Sequence, residues 1–203
     1  MKETTHKQAW YVINGITLYR IVAAPILLLL VFTGRLEIFK WLLGISFFTD
    51  LIDGFLARRY KVASVLGTRL DSIGDDLTVV VGVIALFVTK MEFIKEQKFI
   101  FLLLLLLFLA QTTYAFIRYG KITNFHTWLA KVAALLQGVF LLIAFFTDKP
   151  NLVLFYAAAI ITMLELMEEI ILVRLLPNWE TNVKGIYWVL KKKEKRKSKT
   201  ANS

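Results

Sequence analysis

Six apolar stretches recur along this chain, and most reach about 17–20 residues, the length an α-helix needs to cross the hydrocarbon of a bilayer. They run from Ile16 to Phe32, Phe39 to Leu51, Leu70 to Val88, Phe99 to Phe116, Trp128 to Phe146 and Leu152 to Val173. The fourth is the most lipid-like, with leucine unbroken from Leu102 to Leu107. Hydrophobic residues make up 58% of the 203, above the soluble norm. The expected fold class is therefore all-α membrane protein: a six-transmembrane-helix bundle with an N-terminal interfacial helix. Residues 1–15 form that interfacial segment, with Trp10 and Tyr11 at head-group depth. They lack the apolar core and small-residue cleavage site of a secretory signal. Residues 16–176 form the six-span domain, and 177–203 a basic tail.

Six spans place both termini on one side. Of the 25 Lys and Arg, the outer loops would hold Arg35, Lys40, Lys90, Lys95, Lys98 and Lys149, which leaves 19 for the inner side. That asymmetry predicts a multi-pass protein of the cell membrane, of bacterial inner-membrane type, with both termini cytoplasmic. The run Lys191-Lys192-Lys193-Glu194-Lys195-Arg196-Lys197 suits anionic head groups at the cytoplasmic face. Nucleic-acid binding, the rival reading of a basic run, is set aside in so apolar a chain. The segment from Trp179 to Trp188 reads as an interfacial helix or a dimer contact.

The chain has no cysteine and only two histidines, His6 and His126, so thiolate sites and multi-histidine zinc sites are excluded. Any metal must take oxygen ligands, which points to magnesium, manganese or calcium. The oxygen donors cluster at the junction of the second and third spans. Asp50 and Asp53 are spaced i, i+3; Asp71 and Asp75 are spaced i, i+4. On helices both spacings set the paired carboxylates on one face. Two such helices facing each other make a four-carboxylate pocket, and bound cations or arginines would offset the cost of charge near hydrocarbon. Gly54 and Ala57 leave room for a close approach, and Arg58 offers a fork suited to phosphate. Simple pairing of these aspartates with Arg58, Arg59 and Arg69 would explain any one of them but not two matched pairs beside small residues.

The string Asp50-x-x-Asp53-Gly54-x-x-Ala57-Arg58, eight residues, Gly67-x-x-x-Asp71-x-x-x-Asp75 resembles the signature of the CDP-alcohol phosphatidyltransferase family at all of its fixed positions. The resemblance implies transfer of a substituted phosphate from a CDP-linked donor, commonly CDP-diacylglycerol, to an alcohol with release of CMP. It implies that Asp50, Asp53, Asp71 and Asp75 bind two Mg2+ or Mn2+ ions, that Asp75 takes the proton of the attacking hydroxyl, and that Gly54, Ala57, Arg58 and Gly67 line the CDP site. It also implies a homodimer.

For the acceptor, Asn14-x-x-Thr17-x-x-Arg20 resembles the start of bacterial phosphatidylglycerophosphate synthases, which act on glycerol 3-phosphate. Arg118, Lys121 and Lys131, near inner helix ends, are candidate acceptor-binding residues, with ordinary inner-side cations as the alternative for the first two. Asp71-Ser72-Ile73-Gly74-Asp75-Asp76 departs from the Asp-Pro-x-Ala-Asp-Lys of those synthases and is similar to serine- and inositol-type branches. Serine, inositol phosphate and phosphatidylglycerol therefore stay open as acceptors, and Asp76 has no assigned role. Glu165, Glu168 and Glu169 on the sixth span are read as ion-pair partners of Arg20, Arg118 or Lys131, or as substrate contacts. Gln137 and Gly138 are read as helix-packing residues. A cation transporter is the rival class, but it would spread charge across the membrane depth rather than gather it at one edge.

Overall fold

The computed structural model describes the backbone of residues 2–60, 65–121, 123, 125, 127–180 and 183–201. Within these it describes the side chains of 15, 18–49, 52, 74, 77–121, 123, 125, 127–180 and 183–194. The described residues hold helices and no strand: α1 (Lys2–Phe32), α2 (Leu36–Tyr60), α3 (Val65–Thr89), α4 (Met91–Glu96), α5 (Lys98–Tyr119), α6 (Trp128–Phe146), α7 (Leu152–Leu175) and α8 (Ile186–Ala201). Each apolar stretch falls within one helix. Two of them, α5 and α6, are long and apolar enough throughout to cross a membrane, while α1 and α3 carry shorter apolar parts, Leu18–Phe32 and Leu77–Thr89. On α5 the large side chains stay exposed: Phe99 at 74%, Leu105 at 52% and Ile117 at 77%. A long apolar helix that leaves most of its large side chains uncovered by protein needs lipid as its solvent, so this is a membrane protein.

The chain divides into two compact units, residues 1–95 with 141–150, and residues 96–140 with 151–203. In the first unit α1 packs on both α2 and α3, which also touch each other. Ala24, Leu27 and Val31 of α1 meet Phe39 and Leu43 of α2 and Val81 and Ala85 of α3, all buried at helical spacing. Between helices in lipid, fit of shape drives association more than exclusion of water. Gly82 shows this fit, since a Cβ there would lie 2.8 Å from Cδ1 of Leu141. Phe145 meets Phe39 edge-on at 4.9 Å. At the Thr89 end of α3, Lys90 Nζ donates to the carbonyls of Thr147 (3.1 Å) and Asp148 (2.7 Å).

In the second unit α5 packs on α7, and α7 on α8. Ala115, Phe125, Leu172, Val173 and Leu176 form its core with Val183 and Val189. Asn151, after Pro150, starts α7 by accepting from the backbone N–H of Leu154 at 3.0 Å. Gly120 ends α5 at a left-handed φ of 65°. Gln137 Nε2 donates to Thr162 Oγ1 at 2.7 Å, tying α6 to α7 as the packing role expected of Gln137 requires.

Three differences from the sequence reading are physical rather than cosmetic. The N-terminal segment is no separate helix: α1 runs unbroken for 31 residues, since nothing between Lys2 and Phe32 ends a helix until Gly34, at φ 71°, turns the chain. Pro25 sits inside α1 without breaking it. The short α4 was not anticipated. Helix also extends beyond the apolar stretches at the junction of the second and third spans, since α2 carries Arg58 and Arg59 to Tyr60 and α3 starts at Val65, before Arg69.

Candidate active site

The backbone of both halves of the aspartate string is helical. Asp50, Asp53, Gly54, Ala57 and Arg58 lie in the last turns of α2, and Gly67, Asp71 and Asp75 in the first turns of α3. The i, i+3 and i, i+4 spacings therefore act as helical spacings, and the two helices that carry them touch each other within one unit. The side chains of Asp50, Asp53, Asp71, Asp75, Asp76, Ala57 and Arg58, and the surroundings of Gly54 and Gly67, lie outside the described residues. Among the described residues no group of three or more His, Asp or Glu is placed to hold a metal. The oxygen-only donor set on two touching helices suits a hard divalent cation.

One neighbour of the string is fully described. Gly74 of α3, between Asp71 and Asp75, faces Arg20 of α1: a Cβ at residue 74 would stand 3.3 Å from Nη2 and 3.4 Å from Nε. Arg20 is 1% exposed and ranks first among the largest fully buried side chains. Thr78, one turn further along α3, bonds back to the Gly74 carbonyl at 2.8 Å. Sequence reasoning read Arg20 as the end of the Asn14-x-x-Thr17-x-x-Arg20 string and as one of three possible ion-pair partners of the sixth-span glutamates, and Gly74 only as a departure from a pattern.

The second unit holds a polar cluster of its own residues. Gln111 of α5 donates from Nε2 to Thr123 Oγ1 and to Glu169 Oε2, both at 2.6 Å, and all three residues are buried. Glu168 Oε1 accepts from the backbone N–H of Ile186 at 3.2 Å, the first residue of α8. These partners are an amide and a backbone group rather than the cations expected for Glu168 and Glu169. Gln111 gave no signal in the sequence, lying in an apolar run where only a contact with another helix reveals its use.

The three candidate acceptor residues stand apart from each other in their contacts. Arg118 Nη2 donates to the Leu176 carbonyl at 3.3 Å. Lys121 lies over the Trp179 ring at 5.2 Å, and Lys131 over the Trp128 ring at 4.9 Å. These contacts hold the end of α5 against the segment after α7, and Lys131 against its own helix. The segment from 177 to 185 is not helical where described, and α8 begins at Ile186.

The string lies within a match to a known family. The family described as CDP-alcohol phosphatidyltransferase matches residues 10–171, which contain both halves of the string. A curated relative, the CDP-diacylglycerol–inositol 3-phosphatidyltransferase of Saccharomyces cerevisiae (strain ATCC 204508 / S288c), is 35% identical over 74 residues. That match covers 36% of this chain and 33% of the relative. No solved structure matches.

Proposed function

Since the chain belongs to the CDP-alcohol phosphatidyltransferase family, we propose that it transfers a phosphatidyl group from CDP-diacylglycerol to an alcohol and releases CMP. What carries this reading is that the family match spans 10–171 and the two halves of its signature ride on touching helices, α2 and α3. Asp50, Asp53, Asp71 and Asp75 hold two Mg2+ or Mn2+ ions in this reading, an all-oxygen set as those ions prefer. When bound, the ions supply charge that steadies the diphosphate and the departing CMP. Arg58 holds a phosphate oxygen pair with its fork, while Gly54, Ala57 and Gly67 keep the wall beside the nucleotide free of bulk. Asp75 takes the proton of the acceptor hydroxyl as its oxygen attacks the phosphorus that carries the diacylglycerol. The P–O bond to CMP breaks, and the new P–O bond makes the lipid product. The protein works as a six-span homodimer of the cell membrane with both termini and the site cytoplasmic.

Glycerol 3-phosphate is the acceptor that the Asn14, Thr17 and Arg20 spacing supports. Inositol is the second reading, favoured by the named activity of the yeast relative and by Leu70-Asp71-Ser72. Purified protein given CDP-diacylglycerol, Mg2+ and, in parallel, glycerol 3-phosphate, serine, inositol, inositol phosphate or phosphatidylglycerol should form one lipid product. Identification of that lipid names the acceptor. No product with any of them would overturn the transferase reading.

A further inference from the structure

The basic run at 191–197 lies on α8, and contacts within the second unit fix where that helix starts and how it lies. Glu168 Oε1 of α7 accepts from the N–H of Ile186 at 3.2 Å. Two turns later Lys193 Nζ donates to the carbonyl of Leu175, the last residue of α7, at 2.6 Å. Val189, between them, is buried in the same core as Leu172 and Val173. Residues 186, 189 and 193 are spaced i, i+3, i+7, so one face of α8 rests on the end of α7. The other face is uncovered. Tyr187 is 63% exposed and Trp188 45%, and Lys191 Nζ lies over the Tyr187 ring at 5.5 Å. Lys184 and Lys192 are exposed beside them, and Lys192 reaches the exposed Glu180 only at 3.9 Å.

The end of α7 is also where α5 stops and α6 begins. Tyr119, the last residue of α5, donates from its hydroxyl to the carbonyls of Val173 and Leu176, both at 2.9 Å. The N–H of Trp128, the first residue of α6, donates to the carbonyl of Lys184 at 3.4 Å. Both helices are long and apolar enough to cross a membrane, so their ends at this level meet the head-group layer. From Lys184 to Ser203 the chain holds eight Lys and Arg against one Glu. Exposed Tyr and Trp beside clustered lysines fit an anionic bilayer surface, with the rings at its apolar edge and the ammonium groups at its phosphates. A nucleic acid would match the charge but not the position beside hydrocarbon. We propose that α8 is an interfacial helix that binds anionic phospholipid head groups through Lys184, Lys191 and Lys192, with Tyr187 and Trp188 at the boundary. Glu168 and Lys193 tie it to α7, which makes this lipid seat a fixed part of the second unit rather than a loose tail.

The test places full-length protein in nanodiscs of phosphatidylcholine alone, or of phosphatidylcholine with phosphatidylglycerol, and follows amide hydrogen exchange over residues 186–194. Each lysine near an anionic surface strengthens binding about fivefold, so the three together should slow exchange about 10–100-fold in the mixed discs. High salt should shrink the difference. The variant K184Q/K191Q/K192Q should lose it, while exchange in α5 and α7 stays as in the wild type. Should that variant fail to fold, the wild-type comparison of the two discs and its salt series decide. Equal exchange in both discs, or a lipid difference that survives in a folded variant, would overturn the proposal. Slowing in phosphatidylcholine discs by an RNA oligonucleotide or inorganic phosphate, as large as that by phosphatidylglycerol, would also overturn it and make the face a general polyanion site. The readout needs no turnover, so its failure leaves the transferase reading standing.

Discussion

Gln111 shows how much a single buried amide can decide. Its Nε2 serves Thr123 and Glu169 at once, both at 2.6 Å, and Glu169 is only 8% exposed. Gln111→Leu is nearly isosteric but removes the donor, which leaves a buried carboxylate and a hydroxyl short of a partner. Stability should fall by about 1–3 kcal/mol, read as a lower thermal unfolding midpoint in detergent, with CMP release per folded molecule less affected. An unchanged midpoint would mean the contact carries no net stabilisation. Asp75 is the opposite case, a residue whose proposed role is chemical. Asp75→Asn keeps the shape and removes the base, so activity should drop about 10²–10⁴-fold in a protein that still elutes as a folded species. The helical spacing of the aspartate string was legible from sequence, because i, i+3 and i, i+4 are local periods, and α2 and α3 keep it. The closeness of Gly74 to Arg20 and the partners of Gln111 were not, because each is met across helices far apart in the chain, and no local period encodes that meeting.

Among the elements, α8 is the one whose placement turns on a single backbone angle. Gly185 sits at φ 141°, with the site of a Cβ 2.9 Å from Glu168 Oε1 and 3.4 Å from the Trp188 ring. The same carboxylate accepts from the N–H of Ile186 and so fixes the start of the basic helix to α7. At the other side Lys193 Nζ donates to the Leu175 carbonyl at 2.6 Å. Gly185→Ala is strained in backbone and in space together, at a cost of about 1–3 kcal/mol. Trypsin should then cut after Lys184 faster than in the wild type; an unchanged rate would show that α8 docks without this clamp. The helices that sequence revealed best were those with a long uniform apolar run, α5 and α6. The limits of α1 and α4 were harder, because polar residues such as those from Lys2 to Gln8 tolerate helix as readily as coil, and only a contact or a turn glycine such as Gly34 decides where a helix stops.

At the scale of the whole molecule, the chain's lack of cysteine makes its orientation directly testable. Single cysteines at Glu96 and Asp148 should react with an impermeant maleimide on intact cells, and cysteines at Lys121 and Lys192 only after lysis. The reverse pattern would contradict the cytoplasmic placement of the tail and the site. The family and the membrane setting were legible from the aspartate string and the apolar runs. The acceptor was not, because it depends on which polar groups meet around the site, and the contacts that Arg118, Lys121 and Lys131 make are announced by no motif. The central claim is metal-dependent phosphatidyl transfer through the four aspartates. Its most direct measurement is CMP release from CDP-diacylglycerol by purified protein with its acceptor, with and without EDTA, alongside Asp53→Asn. The account predicts release that EDTA stops, that added Mg2+ or Mn2+ restores, and that the variant lacks. Release that persists in EDTA, or at the wild-type rate in the variant, would contradict it.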